Sequence, residues 1–469
     1  MKVLHVVFGF APDPAGGTEI YVEELCRELE PLGVQAVVAA PGPLDVAYDH
    51  RGLPVRRFAV SSGEVDLDDL YGGGDAHAAA AFERILDEEQ PDVLHQHALT
   101  SACSARLIRM AKERRIPVVF TYHTATVSCQ RGTLLEWGRK PCDGRTSVAR
   151  CTPCTLHGLG LDPTTSGLVG LTPEIAGELI GRAGLAGGAW TALRMRSLMR
   201  QRTDHLIQLL TNVDAFVAVT PWVRELLRLN GVPDSRITDS SHGVFGAWSG
   251  PVAAKSDGHG ETLRIAHLGR LDPGKGTRLL VEAVRSVPDA SLSLDIFGVI
   301  QNPGDAGRLA ELQTLASADP RIRFLPALVH ADVVDTLASY DLVAVPSQLC
   351  ETGPLVVLEA FAAGVPVIGS SLGGIADKVE HGKNGWLVKP YGSLDAWRAA
   401  LSRCATDGHL MNKLKTGIQK PRTMTDVARE MRSLYVTQLA EANRSAGRAV
   451  RRTPVEAPLK PQSAGGLLR

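Results

Sequence analysis

Hydrophobic and polar positions alternate along the chain in two successive series of short apolar runs and longer amphipathic stretches. In the first series the runs Val3–Gly9, Gln35–Ala40, Asp92–His95, Pro117–Thr121 and Ala215–Val219 read as strands, Val3–Gly9 apolar nearly throughout, as strands covered on both faces are. Between and after them the pattern predicts helices at Glu19–Leu32, Ala76–Glu89, Leu107–Glu113, Trp190–Leu210 and Trp222–Asn230. The second series predicts strands at Leu263–Leu268, Leu292–Phe297, Ile322–Leu325, Leu342–Val345 and Val365–Gly369. Its helices are expected from Thr277 and at Val329–Ala338, Leu355–Ala363, Leu394–Cys404 and Met424–Leu439. Alternating strands and helices imply an α/β fold with parallel sheets. The stretch from Pro41 to about Gly74 reads as variable, and the polar, Gly-containing Gly250–Gly260 as an interdomain linker.

The division that follows is an N-terminal domain at 1–246, a linker at 247–260, a C-terminal domain at 261–422 and a helix at 423–440 returning to the N-terminal domain. The tail at 441–469, with six Lys or Arg against two Glu, is expected to be disordered, with membrane or partner attachment as an alternative. The 469 residues allow two or three domains. A net charge of −1 offers no global field for nucleic acid. No window of about 18 apolar residues predicts a membrane span. The apolar N-terminus reads as a first strand, and a cytoplasmic location is the default for sparse cysteines.

Chemistry collects where strands end. Gly16 and Gly17 precede a helix, where backbone amides can face an anion. His95, His97 and His123 lie at strand tips, and in an open α/β sheet those tips form the ligand crevice. For His95 and His97 a metal lacks a third ligand nearby. After Leu263–Leu268, Gly269 permits close backbone approach, and Arg270 and Lys275 flank an Asp-Pro-Gly turn, a pair of cations suited to a diphosphate. Glu351 stands in a loop and Glu359 within an apolar helix, where a carboxylate is costly to bury without a partner. Asp66 and Asp68 have metal-binding spacing but sit in the variable stretch, and are discounted.

Four of the eight cysteines fall in one insert: Cys129, Cys142, Cys151 and Cys154. The two-residue spacing of the last pair lets both thiolates reach one ion. A structural zinc site is the main reading. An iron–sulfur cluster uses the same ligands, and unligated thiols or a disulfide complete the alternatives. His157 could replace one cysteine. The segment Asp162–Gly188 reads as a loosely helical patch or lid, and the helix carrying Arg194, Arg196, Arg200 and Arg202 as a solvated face, with anionic lipid as the alternative.

Taken in order, the Gly-Gly-Thr-Glu turn at Gly16–Glu19, the His123 tip, the Ser-Ser-His-Gly-Val run before the linker, the GRLDPGKG loop and the Glu351/Glu359 pair resemble the retaining glycosyltransferases of family 4, which have the GT-B fold. That fold places two Rossmann-like domains across a cleft. The resemblance implies transfer of a sugar from a nucleotide-diphosphate sugar to a saccharide or lipid-linked acceptor, in polysaccharide or glycolipid synthesis, with peripheral membrane contact as an option. It implies that Glu359 binds the ribose hydroxyls, that Glu351 binds a sugar hydroxyl, and that His123 lies near the anomeric centre. Gly16, Gly17 and Gly269 would admit the donor, backbone groups at Thr352, Gly353, Pro354 and Leu355 would hold sugar and diphosphate, and Arg270 and Lys275 would neutralise the leaving group without a catalytic metal. The family's usual Glu-Pro-Phe-Gly is Glu351-Thr352-Gly353-Pro354 here, a change that bears on sugar contacts. Retention of configuration follows from the resemblance alone. A nucleotide-sugar epimerase or a phosphorylase on the same fold, and a non-catalytic metal- or redox-sensing binding protein, are the other readings.

Overall fold

The computed structural model describes residues 1–13, 16–63, 66–245, 262–300 and 303–450, so the expected linker and the tail beyond 450 lie outside the described residues. In chain order the strands are β1 (Lys2–Val6), β2 (Gln35–Gly42), β3 (Val46–His50), β4 (Leu53–Ala59), β5 (Val93–Gln96), β6 (Val118–Thr121), β7 (Leu135–Glu136), β8 (Lys140–Pro141), β9 (Ala215–Ala218) and β10 (Ile237–Asp239). They continue with β11 (Leu263–Arg270), β12 (Leu292–Val299), β13 (Ile322–Leu325), β14 (Leu342–Val345), β15 (Val367–Ser370) and β16 (Gly385–Val388).

Two large sheets result. The first has the order β10-β9-β6-β5-β1-β2-β4-β3, parallel except for β3 against β4. The second has the order β13-β12-β11-β14-β15-β16 and is parallel throughout. Strand order reverses beside β1 and β5 in the first sheet and beside β11 and β14 in the second. Loops leaving such a switch point diverge to opposite faces and open a crevice between them. The loops after β11 and β14 carry Arg270, Lys275 and Glu351.

Each strand is apolar because both faces are covered. Val3, Val22, Leu25, Val38 and Val119 belong to one core of the N-terminal sheet, and Leu4, Phe82, Leu94, Ile108 and Phe120 to the other. The helix Met424–Val450 completes the first of these cores with Val427, Met431 and Tyr435. This helix runs past Leu439, so residues 441–450 are helical and not part of a disordered tail.

The structure departs from the sequence reading in several other places. The stretch read as variable adds the β3–β4 hairpin to the sheet, because Val55 and Phe58 are buried. Helices Pro303–Ala316, Gly373–Lys378 and Gly408–Thr416, and strands β10 and β16, were not foreseen. The segment Asp162–Gly188 forms two short helices, Pro163–Val169 and Glu174–Arg182, with Leu168, Leu171 and Ile175 exposed. The next helix, Gly188–Asn212, does not present a free basic face. Arg194 pairs with Asp68 at 2.9 Å, Arg196 and Arg200 pair with Glu174, and buried Arg202 donates to the carbonyls of Thr126 and Val127. Lipid headgroups would have to break those pairs. Among the described residues no helix is long and apolar enough to cross a membrane.

Candidate active site

The second sheet builds one wall. β11 ends at Arg270, and the turn Pro273–Lys275 follows, capped by the Asp272 side chain accepting from Gly274 N at 3.0 Å. Gly276 has φ +72°, and a Cβ there would stand 2.0 Å from the Pro346 carbonyl oxygen. That contact sets the β11 loop directly against the β14 loop. Lys275 Nζ consequently reaches Glu351 Oε1 at 2.6 Å, and Ser347 Oγ donates to the same oxygen at 2.6 Å. Burial alone would raise the Glu351 carboxyl. The charge of Lys275, the hydrogen bonds from Lys275 and Ser347, and the charge of Arg270 outweigh it and hold the group below the usual range. Arg270 is half exposed and pairs with Asp272 at 3.3 Å.

Glu359 is the opposite case. It lies in the helix Leu355–Ala362, buried, with His330 Nδ1 3.6 Å away. Burial pushes its carboxyl up to about 7. Two glutamates eight positions apart are thus held differently by their surroundings, Glu351 below and Glu359 above the usual carboxyl range. They are not within one hydrogen-bonding group.

The N-terminal domain supplies the facing wall. A Cβ on Gly17 would stand 3.5 Å from Leu355 Cδ1, so the turn before the first helix abuts the start of the Glu359 helix. Glu19 accepts from Gly16 N at 2.9 Å, and burial raises its carboxyl despite that bond and the charge of Arg270. Thr352 Oγ1 donates to the His123 carbonyl oxygen. Gly353 is confined, since a Cβ would lie 2.6 Å from His242. Gly374 N donates to the Glu351 carbonyl at 2.7 Å and fixes the loop from behind. These contacts bring the loops carrying Lys275, Glu351, Thr352 and Gly353 and the helix start at Leu355 against Gly17, His123 and His242 of the N-terminal domain. Gly269 is the penultimate residue of β11, and Pro354 stands at the N-cap of the helix Leu355–Ala362.

Behind the cleft runs a chain of histidines that the sequence reading largely missed. His5 Nδ1 meets His97 Nε2 at 3.1 Å, His97 Nδ1 meets His123 Nε2 at 3.0 Å, and His123 Nδ1 meets His242 Nε2 at 3.3 Å. His242 Nδ1 ends the chain on the Gly353 carbonyl at 3.0 Å. Burial pushes His5 and His123 down to about 3, and His97 and His242 well below the ordinary value, so all four rings are neutral at physiological pH. A carbonyl only accepts, so His242 must carry its proton on Nδ1. Each preceding ring must then do the same, back to His5, whose Nε2 is left as a lone pair with no partner among the described residues. Both ring nitrogens of His123 are engaged, and its imidazole can bond a ligand only by exchanging one of these partners. His5 also supplies the third imidazole near His95 and His97 that the sequence reading lacked. His95 is itself tied to Tyr435 and Thr121, both at 2.7 Å. Sheet register is the signal that would have found it, because β1 pairs His5 with His95 of β5.

Comparison with known proteins agrees with the geometry. Residues 253–420 match the family described as "Glycosyl transferases group 1", and residues 16–238 match "Glycosyl transferase 4-like domain". The chain belongs to the group 1 glycosyltransferases. A D-inositol 3-phosphate glycosyltransferase of Corynebacterium glutamicum is 32% identical over 190 residues, which are 39% of this chain and 45% of that one. The match thus spans less than half the length of this curated relative. Among solved structures, sucrose-phosphate synthase from Thermosynechococcus elongatus superposes with a TM-score of 0.64 at 19% identity, covering 94% of this chain and 99% of that one. HepE of Anabaena, in complex with UDP and glucose, gives 0.58 at 15% identity, with 93% and 100% covered. At such identities the likeness speaks for the fold alone, which is GT-B.

The four insert cysteines lie outside the cleft. Cys151 and Cys154 share one face of the helix Val148–Gly158, and all eight cysteines of the chain are free thiols. His157 is turned away, bonded through Nδ1 to the Leu161 carbonyl at 2.8 Å. Asp68 is taken up by Arg194 and Gln201, and Asp66 accepts from Asp68 N at 2.7 Å.

Proposed function

We propose that this chain transfers a sugar from a nucleotide-diphosphate sugar to an acceptor hydroxyl with retention of anomeric configuration. The observation that carries the reading is Glu359, a carboxyl raised to about 7 by burial in the helix whose first residue, Leu355, meets Gly17 of the N-terminal domain. Two vicinal ribose hydroxyls would donate to it and replace the water it has lost. HepE, of the same fold, is in complex with UDP and glucose, which supports a nucleotide donor here.

In the reaction the bond from the anomeric carbon to the diphosphate oxygen breaks, and a bond to the acceptor oxygen forms. The acceptor proton passes to the departing diphosphate. Lys275 and Arg270 stabilise the charge that develops on that diphosphate, a contribution that grows along the reaction coordinate. Glu351, already ionised beside Lys275, accepts a hydrogen bond from a sugar hydroxyl and orients the ring. The two walls exclude water, so the acceptor and not solvent captures the sugar.

The test is thermal unfolding of the full chain with UDP, GDP, ADP and dTDP and their sugars. One nucleotide at 100 times its dissociation constant raises apparent stability by roughly 2.7 kcal/mol. The reading fails if no nucleotide shifts unfolding, or if a shift persists undiminished in Glu359→Ala.

A further inference from the structure

The insert cysteines frame a cavity that the transfer reaction does not use. Cys129, Cys142, Cys151 and Cys154 all line a void of about 30 Å³, between the turn after Ala125–Val127, the β7–β8 hairpin and the helix Val148–Gly158.

The spacing of the sulfurs discriminates between occupants. A single zinc at about 2.3 Å from each thiolate holds four sulfurs in a tetrahedron with edges of about 3.8 Å. Among the described residues, no three of these sulfurs lie within 4.8 Å of one another. A polynuclear core, whose thiolates sit on different metal atoms, calls for a wider frame with room inside it. The donors around the frame suit an anionic centre. Trp137 N points at Cys154 Sγ (3.3 Å), Gly144 N at Cys142 Sγ (3.4 Å) and Ser147 N at Cys151 Sγ (3.5 Å). Arg150 Nη2 lies 2.9 Å from Cys142 Sγ, and Arg131 Nη1 lies 3.7 Å from Cys154 Sγ. Leu134 and Trp137 adopt φ of +49° and +54°, a conformation that non-glycine residues avoid. At Trp137 it accompanies the amide aimed at Cys154.

We propose that Cys129, Cys142, Cys151 and Cys154 bind an iron–sulfur cluster. The cluster sits behind the donor loop. Cys350, next to Glu351, donates from its amide to the Thr133 carbonyl at 3.0 Å and from its thiol to the Leu134 carbonyl at 3.4 Å. The cluster-bearing turn therefore props the loop from the N-terminal side, and its role is to hold that turn in place.

The experiment is anaerobic purification of the full chain without reconstitution, followed by analysis of iron, zinc and acid-labile sulfide. Expected are about two or four irons per chain with matching sulfide, visible charge-transfer absorption near 400 nm on the order expected for thiolate-ligated iron, and Mössbauer spectra of ⁵⁷Fe-grown protein typical of tetrahedral sulfur ligation. The double variant C151S/C154S should lose both elements, while C26S/C404S should retain them. About one zinc per chain without sulfide, the absence of both metals, or iron retained in C151S/C154S would overturn the proposal. The wild-type analysis decides the matter even if a variant fails to fold.

Discussion

Replacing Glu359 by Gln removes one titration and changes little else in volume. The folded carboxyl is raised from 4.5 to about 7, with burial as the cause. A carboxyl raised on folding contributes its stability below the unfolded value and loses it as pH climbs through the folded one. Between pH 4.5 and 7 the apo protein therefore loses up to roughly 3 kcal/mol at this position. Glu359 is 8% exposed, so solvent screens little of that cost. The amide of Glu359→Gln does not ionise and escapes the loss. By differential scanning calorimetry without nucleotide, E359Q should match wild type at pH 5 and exceed it at pH 8. At about 2–4 °C per kcal/mol for a domain of this size, the gain is roughly 6–12 °C. Nucleotide affinity should move the other way, because an amide oxygen accepts one ribose hydroxyl less well than a carboxylate accepts two. Stability gained with binding lost is the signature of a site strained for its ligand. Equal melting temperatures of both proteins at pH 8, or a less stable variant there, would refute the reasoning.

Two further outcomes follow from the same geometry. Lys275→Ala leaves Glu351 buried beside Ser347 without its cation, which should cost about 3 kcal/mol of stability and lower transfer at least ~100-fold; in K275A/E351Q the stability cost should shrink while transfer stays low, as a double-mutant cycle by calorimetry and product assay would show. The imidazoles of His5, His97, His123 and His242 should all appear as Nδ1–H tautomers in ¹⁵N NMR, with none titrating near 6.5, so that stability falls as pH drops below about 6.5, where the unfolded rings take up protons; an Nε2–H tautomer at His242, or a midpoint near 6.5 for His123, would contradict the chain of bonds.

Much of the architecture was legible because parallel strands buried on both faces are continuous apolar runs. Leu342–Val345 and Ile322–Leu325 read directly for that reason. What escaped the sequence depends on partners distant along the chain. β16 is Gly385–Val388, a short run whose Trp386 lies against His381 and under Arg403. The helix Gly373–Lys378 opens on two glycines, which locally signal a turn; Gly374 is needed there because a Cβ would meet the Thr352 carbonyl at 2.7 Å. His5 is hidden in an apolar strand and gains meaning only when register sets it beside His95. Glu359 was conspicuous in sequence as a charge in an apolar helix, yet its contrast with Glu351 emerged only with Lys275 and Ser347 in place.

The central claim is retaining transfer from a nucleotide sugar, and ¹H NMR of the first-formed product tests it most directly. With the donor found by the nucleotide screen and an acceptor alcohol, the account predicts that the anomeric coupling of the new glycoside matches the configuration of the donor, and that the signal is absent in K275A. A product of inverted configuration, or one formed equally by K275A, would contradict it.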